Sequence, residues 1–282
     1  MSQIIFNGKL LPASTPVVAS NNRGLRYGDG LFETIKFKKN ELILLDEHLA
    51  RLWQGLKLMQ FELPRLFTPD YLEAQIHTLL KKNNLKNARV RLNIFRGNGG
   101  LYDAENNQPN FTIEAIPLET STERLNSNGL QCCIYSEARK GKDIFSNLKT
   151  NQFLPYLMGA LHAKKQKCND AILLNTEHMI CDSTIANVFI ITNGVIQTPP
   201  LTDGCVAGVM RAFVMDNLKN SHFAIEECSL SVENLLQADE VFLTNSIYNM
   251  RWVAGIEDSK YKLSQTQEIF NLLRETNPSV FC

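Results

Sequence analysis

Two Asn-Gly pairs set between apolar runs restrict the fold more than any other feature of the chain: QIIFNGKLLP turns at Asn7-Gly8, and VFIITNGVIQTP at Asn193-Gly194. Both central residues of a type I′ turn need positive φ, which asparagine and glycine tolerate, so each pair predicts a β-hairpin that opens a sheet. A further strand, turn and strand is read in LFETIKFKKNELILL, turning at Lys39-Asn40. ARVRLNIFRG alternates as a strand with one polar face.

Helical signals alternate with these strands. In LDEHLARLWQGLKLMQFELP the residues Leu45, Leu49, Leu52, Leu56 and Met59 recur at four, three, four and three, one apolar stripe. TPDYLEAQIHTLLKK starts with Thr68 as N-cap and Pro69 at the first helical position. Ser264 and Gln267 make a capping-box pattern before EIFNLLRE. The polar stretch PLETSTERLNSNG interrupts this order, and 119–129 is assigned as a linker between an N-terminal α/β domain, 1–118, and a C-terminal α/β domain, 130–282, carrying Lys149. After the linker, strands are predicted near 130–135, 171–174, 188–192 and 241–243, and helices near 154–167 and 208–219. Hairpins combined with crossover helices predict two mixed α/β domains of α+β type. No GxGxxG opens a helix after a strand, so a single doubly wound sheet is not expected.

The 282 residues suffice for two domains with sizeable cores. Lys plus Arg and Asp plus Glu both number 29, and 44% of the residues are hydrophobic, the balance of a soluble globular protein. That neutrality argues against a nucleic-acid surface or an electrostatically held membrane protein. MSQIIFNGKLLPAS shows no secretory leader, and no run of about 18 apolar residues occurs. The seven cysteines lack CxxC or zinc spacing and the five histidines lack ligand spacing. The cysteines are therefore read as reduced thiols of a cytoplasmic protein, with no metal site expected.

Lys149, in SNLKTNQFLPYLMGALHAKK, stands at the entrance to an apolar, Pro-interrupted run where a solvated lysine is unusual. An amine that forms a Schiff base must be desolvated or placed near another cation so that it gives up its proton. Were the aldehyde partner pyridoxal phosphate, the chain would need an anion cradle, a carboxylate for the pyridine nitrogen and a pocket for a substrate carboxylate. LTDGCVAGVMRAFV offers the cradle: Gly204 and Gly208 lead into an apolar helix whose first amides, at Val209 and Met210, would meet an anion. FLTNSIYN adds Thr244, Asn245 and Ser246 at the end of a strand, and Arg51, three residues after His48, adds charge. Asp182, in HMICDSTIANVFIIT, supplies a carboxylate at a turn between two strands. Each has a plainer reading taken alone. A Gly-bearing loop is most often only a turn, Asp-Ser-Thr a cap or Asx turn, Arg51 a solvated helix residue, Lys149 a surface charge, and FRGNGGLY a flexible connection.

The order of these segments resembles that of the class IV, fold-type IV pyridoxal-phosphate enzymes, which include branched-chain aminotransferases, D-amino-acid aminotransferases and 4-amino-4-deoxychorismate lyases. The similarity covers nearly the whole chain, through FNGKLLP, RYGDGLFETIK, DEHLARL, NLKTNQ, DSTIANVFI, GVMR and DEVFLTNS. Its most specific motif, E-x-[ST]-x-x-N-[VL]-F, reads Asp182-Ser-Thr-Ile-Ala-Asn187-Val-Phe189. The resemblance implies a fold of two α/β domains with the active site in the cleft between them, a homodimer, the cofactor pyridoxal 5'-phosphate, and amino-acid and 2-keto-acid substrates. It implies Lys149 as the Schiff-base lysine and proton shuttle. Arg51 would hold the phosphate together with Val209, Met210, Asn245 and Ser246, and Asp182 would face the ring nitrogen. The family usually has Glu there, one methylene longer, so a direct contact, a water-mediated contact and loss of activity are three alternatives.

For the substrate, Arg91 falls where branched-chain enzymes place an arginine that helps bind the carboxylate; its alternative is to pair with an acidic residue on the same sheet face. Thr34 in FET, RGNGG and Asn245 resemble the lyases, whereas Gly99-Gly100-Leu101-Tyr102 departs from their usual Gly-Gly-Arg-Gly-Tyr, and no Arg-x-His trap of the D-amino-acid enzymes is present. The expectation is an aminotransferase of branched-chain type, with the lyase as alternative and a catalytically decayed cofactor-binding protein as a further one.

Overall fold

Asn7 and Gly8 hold φ of 48° and 78°, as their dipeptide demands, and join β1 (Gln3–Phe6) to β2 (Lys9–Pro12). The computed structural model describes residues 2–118 and 124–281. Residues 119–123 of the expected linker lie outside the described residues. Two units are distinguished, Met1–Glu119 with Leu148–Gln152, and Thr120–Asn147 with Phe153–Cys282.

The first unit continues with α1 (Arg23–Tyr27), β3 (Gly30–Lys38), β4 (Glu41–Leu42), α2 (Leu45–Leu58), α3 (Pro69–Lys82), β5 (Ala88–Arg96) and β6 (Pro109–Pro117). Its antiparallel sheet runs β2-β1-β6-β5-β3-β4. The period-two alternation of β3 and β5 sends Ile35, Val90 and Leu92 to one face, where they meet Leu49, Leu52 and Leu56 of α2 and Leu72, Ile76 and Leu79 of α3. The leucine stripe is thus the buried face of α2, ending with Met59 as its C-cap. Thr68 caps α3 by accepting from the Tyr71 amide, with Pro69 inside the first turn. The same alternation leaves Phe32, Thr34 and Lys36 of β3, and Arg89, Arg91 and Asn93 of β5, on the opposite face.

One division differs from the sequence-based expectation. Lys149 was assigned to the C-terminal domain, but Leu148–Gln152 groups with the first unit. The cause is backbone pairing: the Phe32 amide donates to the Lys149 carbonyl at 2.9 Å, the Asn151 amide donates to the Gly30 carbonyl at 2.9 Å, and Leu31 and Thr150 form an antiparallel bridge. Gly30 is required, since a Cβ there would overlap the Ile94 carbonyl oxygen and the Asn151 side chain.

The second unit comprises β7 (Leu130–Lys140), α4 (Leu154–Lys165), β8 (Asp170–Asn175), β9 (Ile180–Ser183), β10 (Asn187–Thr192), β11 (Val195–Thr198), α5 (Val209–Lys219), β12 (Ala224–Glu227), α6 (Val232–Gln237), β13 (Glu240–Asn245), β14 (Asn249–Ile256), β15 (Ser259–Lys260), α7 (Gln265–Thr276) and α8 (Pro278–Phe281). Its strands run β12-β11-β10-β13-β14-β7-β8-β9, and β9 also pairs with β10 at Asn187↔Asp182. The strands from β10 to β9 therefore close on themselves, and Asp182 lies at the closure.

Ser264 is the N-cap of α7, as its position predicts, yet its side chain makes no cap bond and the expected capping box does not form. The buried Glu240 carboxylate of β13 takes the role instead, accepting from the amides of Ser264 (3.1 Å), Gln265 (2.8 Å) and Thr266 (2.8 Å). A carboxylate on three first-turn amides is stronger than a serine hydroxyl on one. Glu240→Ala is expected to cost about 3 kcal/mol. Chemical denaturation checks this, and an unchanged midpoint would show that the amides find other acceptors.

Candidate active site

In the first unit, Phe32 organises the face that β3 and β5 leave outside the core. The Lys149 Nζ lies 4.6 Å from the Phe32 ring centre and the Arg91 Cζ 3.8 Å from it, so these two atoms are within 8.4 Å of each other. Thr34 stands directly across from Arg91 on β3, and Glu114 directly across on β6. Burial pulls the Arg91 guanidinium below its ordinary range and Glu114 opposes the shift. The acidic partner that the alternative reading of Arg91 calls for is Glu114, across from it on β6. Lys36, two residues along the same face, is buried, and burial followed by the Lys38 charge lowers its amine to about 7.

Arg51 belongs to the other face of β3. Its Nε donates to Glu33 Oε1 at 2.8 Å and a terminal nitrogen donates to Oε2 at 2.5 Å, while His48 Nδ1 lies 2.6 Å from Oε2. Glu33 is wholly buried, and burial alone would raise its carboxyl; Arg51 and His48 outweigh this and hold it at about 2. The H-x-x-R pattern is therefore one end of a buried triad whose acid the sequence reading did not single out.

The first unit also holds a cavity of about 580 Å³ lined by Arg23, Tyr27, Asp29, Arg96, Tyr102 and Gln152 among others. Asp29 accepts from Arg23 Nε and Arg96 Nε, each at 2.9 Å, and Arg23 donates to the carbonyls of Leu101 (2.6 Å) and Tyr102 (3.0 Å). The stretch FRGNGGLY, read as a flexible connection, is tied down by these bonds.

In the second unit the carboxylate and the anion-binding candidates meet through Asn187. Its Nδ2 donates to Asp182 Oδ1 (2.9 Å) and to the Val206 carbonyl (2.9 Å). In register it faces Asp182 on β9 and Thr244 on β13, the residue before Asn245 and Ser246. Gly208 precedes α5 closely enough that a Cβ there would overlap Asn187 Oδ1. The N-cap of α5 is Gly208, which has no side chain to cap the helix, and α5 begins with Val209 and Met210. Asn245 spends its side-chain oxygen on the amides of Ile247 (3.0 Å) and Tyr248 (2.8 Å), which shapes the turn that presents Ser246. Asp182 itself lies within β9 rather than at the turn, is buried, and also accepts from Lys140 and Tyr156. Sequence reasoning missed these two because Lys140 closes a strand and Tyr156 sits in an apolar helix, and nothing local marks either as facing an acid.

In the first unit an amine and a guanidinium share one aromatic ring; in the second a buried carboxylate is bonded to the asparagine that packs against the start of α5. The class IV amino-transferase family matches residues 30–256, and the chain belongs to that family. It is 30% identical over 279 residues to the aminodeoxychorismate lyase of Bacillus subtilis, covering 96% of this chain and 92% of that one. It is 29% identical over 276 residues, 97% of this chain and 94% of the other, to a Methanocaldococcus jannaschii protein provisionally named as a branched-chain-amino-acid aminotransferase. The branched-chain amino acid aminotransferase of Escherichia coli has the same fold, with a TM-score of 0.88 and 24% identity over 99% of this chain and 94% of that chain. Among the described residues, no helix is long and apolar enough to cross a membrane.

Proposed function

We propose that the protein is a pyridoxal-phosphate-dependent amino-acid aminotransferase of branched-chain type, which transfers an amino group to a 2-keto acid. The observation that carries the reading is the placement of Lys149, a half-buried amine whose backbone is bonded to β3 and whose Nζ shares the Phe32 ring with Arg91. The start of α5 and the end of β13 fit the cofactor's phosphate. The N-cap of α5 is Gly208, which offers its first amides no side chain, and the buried Thr244 Oγ1 has no hydrogen-bond partner among the described residues, the donor set that a phosphate needs. Lys149 would attach the cofactor; Arg51, Val209, Met210, Asn245 and Ser246 would hold its phosphate, and Asp182 would face its ring nitrogen. When bound, the cofactor supplies an electron sink for the pair left behind as the substrate's α-hydrogen departs. Lys149 Nζ would take the proton from the substrate's α-carbon. Arg91 and Thr34 bind and orient the substrate carboxylate.

A second reading, aminodeoxychorismate lyase, is favoured by Thr34 and by the Bacillus subtilis relative. A substrate panel on purified, cofactor-loaded protein separates the two. Keto acid formed from branched-chain amino acids with 2-oxoglutarate as acceptor supports the aminotransferase; p-aminobenzoate from aminodeoxychorismate supports the lyase; neither product would sink both and leave a cofactor-binding protein.

The working unit is proposed to be a cytoplasmic homodimer. Helix α4 buries Tyr156, Gly159 and Ala163, while Leu154, Leu157, Met158 and Leu161 form an exposed stripe on its outer side, with exposed Ile144 and Phe145 in the preceding segment. An exposed apolar stripe of this extent is the mark of an interface. Leu157→Glu together with Leu161→Glu is expected to weaken self-association at least tenfold in analytical ultracentrifugation. A wild-type chain that sediments as a monomer would end the proposal.

A further inference from the structure

Asp182 is unusually well supplied with donors. Its Oδ2 accepts from the Tyr156 hydroxyl at 2.6 Å, from Lys140 Nζ at 3.0 Å and from the Val206 amide at 3.0 Å, whereas among the described residues Oδ1 accepts only from Asn187 at 2.9 Å. Tyr156, Asp182, Asn187 and Val206 are buried, and the Lys140 side chain is 10% exposed. A carboxylate oxygen offers two lone pairs, so Oδ2 has none left and Oδ1 retains one. The donors arrive from three elements. Lys140 is brought in by a register shift between Tyr135 and Arg139 where β7 pairs with β8, Tyr156 comes from the first turns of α4, and Val206 from the loop leading to α5. The Phe153 ring, stacked 4.2 Å from that of Tyr156, fixes the phenol. Burial, then the Asp182 charge, pushes the Tyr156 hydroxyl well above its ordinary value, so it remains a donor. The thiols of Cys181 and Cys205 near by stay neutral, burial raising that of Cys205 to about 12.

We propose that Lys140 and Tyr156 are positioning residues that turn Asp182 into a charge-compensated partner for the cofactor's ring nitrogen, offering it Oδ1 alone and damping the proton affinity that a bare carboxylate would confer. The proposal rests on the reading that Asp182 faces that nitrogen. It also accounts for Asp in place of the family's usual Glu: one more methylene would carry the carboxylate about 1.5 Å past the point where Tyr156, Lys140 and Val206 converge.

The test follows the ring nitrogen itself, by nitrogen-15 resonance of labelled pyridoxal phosphate bound to wild type, Lys140→Met, Lys140→Arg, Tyr156→Phe and Asp182→Asn, across pH. Removing the cation at 3.0 Å in Lys140→Met is expected to raise the ring nitrogen's proton affinity about tenfold or more, with Lys140→Arg close to wild type. Tyr156→Phe is expected to raise it several-fold and Asp182→Asn to lower it at least tenfold. A purely structural role for Lys140 or Tyr156 would change stability and cofactor affinity but leave this titration in place. Should Lys140→Met fail to fold, Tyr156→Phe carries the test, because it keeps the ring stacked on Phe153. If Asp182→Asn shifts the titration while the Lys140 and Tyr156 variants do not, the proposal is overturned and the role of Asp182 stands. If Asp182→Asn leaves it unmoved, both fall.

Discussion

Replacing Lys149 by alanine is expected to reduce turnover by about 10⁴-fold or more, because in the proposed function the same amine would attach the cofactor and move the α-proton. The borohydride-trappable adduct should vanish with it. The fold should persist, since the bonds that tie this segment to β3 come from the main chain: the Lys149 carbonyl to the Phe32 amide, and the Gly30 carbonyl to the Asn151 amide. The Lys149 Nζ contributes its contact with the Phe32 ring, a cation–π interaction of about 1 kcal/mol at a partly exposed site. Circular dichroism and the denaturation midpoint of the variant should therefore stay close to those of wild type. Mass spectrometry after borohydride reduction decides the matter: a cofactor adduct on another lysine in the variant would move the chemistry away from Lys149. Lys36 is the residue to watch, because its buried amine lies on the same face and is lowered to about 7.

The contrast between Lys149 and Lys36 shows what a sequence discloses and what it withholds. Lys149 stands out because its neighbours are wrong for a solvated lysine and because NLKTNQ falls in order with the other motifs. Lys36 lies in an alternating strand, FETIKFKK, where a polar residue at every second place is the ordinary pattern of a sheet with one wet face. Only the fold reveals that its face is covered. Hairpins, the α2 stripe and the α3 cap were legible because each is set by residues within a few positions of one another. The cap of α7 was misread for the opposite reason. Ser264 and Gln267 satisfy a local pattern, but Glu240, a strand away in sequence, brings a stronger acceptor. The closure of β9 on β10 is likewise non-local, and with it the meeting of Asp182, Lys140 and Tyr156 on three elements. The motif names Asp182 and Asn187 but carries no trace of what else reaches them. Leu148–Gln152 groups with the first unit, and a five-residue stretch that pairs with β3 has no composition of its own to announce it.

Glu33→Gln is expected to destabilise the first unit by about 3–5 kcal/mol at neutral pH, because it removes the buried carboxylate that Arg51 and His48 share. The magnitude has an independent check in pH. The folded-state carboxyl is held at about 2 against an ordinary 4.5, so as pH falls the unfolded chain takes up the proton first. The contribution of Glu33, about 3 kcal/mol by that difference, is complete above the ordinary carboxyl range and is lost as pH drops from there through about 2. The amide variant has no such proton to bind. Wild type and Glu33→Gln should therefore converge in stability between pH 5 and pH 3, wild type losing ground while the variant's curve runs flatter over the same range. Urea midpoints at pH 7, 5, 4 and 3 measure this, and parallel curves would show that the triad does not carry the acid sensitivity. The function is touched as well. Arg51 is oriented by two bonds to Glu33, and an amide, with one oxygen acceptor and one nitrogen donor, can accept from only one of the two guanidinium nitrogens. Cofactor affinity should fall at least tenfold in Glu33→Gln even at temperatures where the variant remains folded. An unaltered dissociation constant for pyridoxal phosphate there would remove Arg51 from the phosphate site.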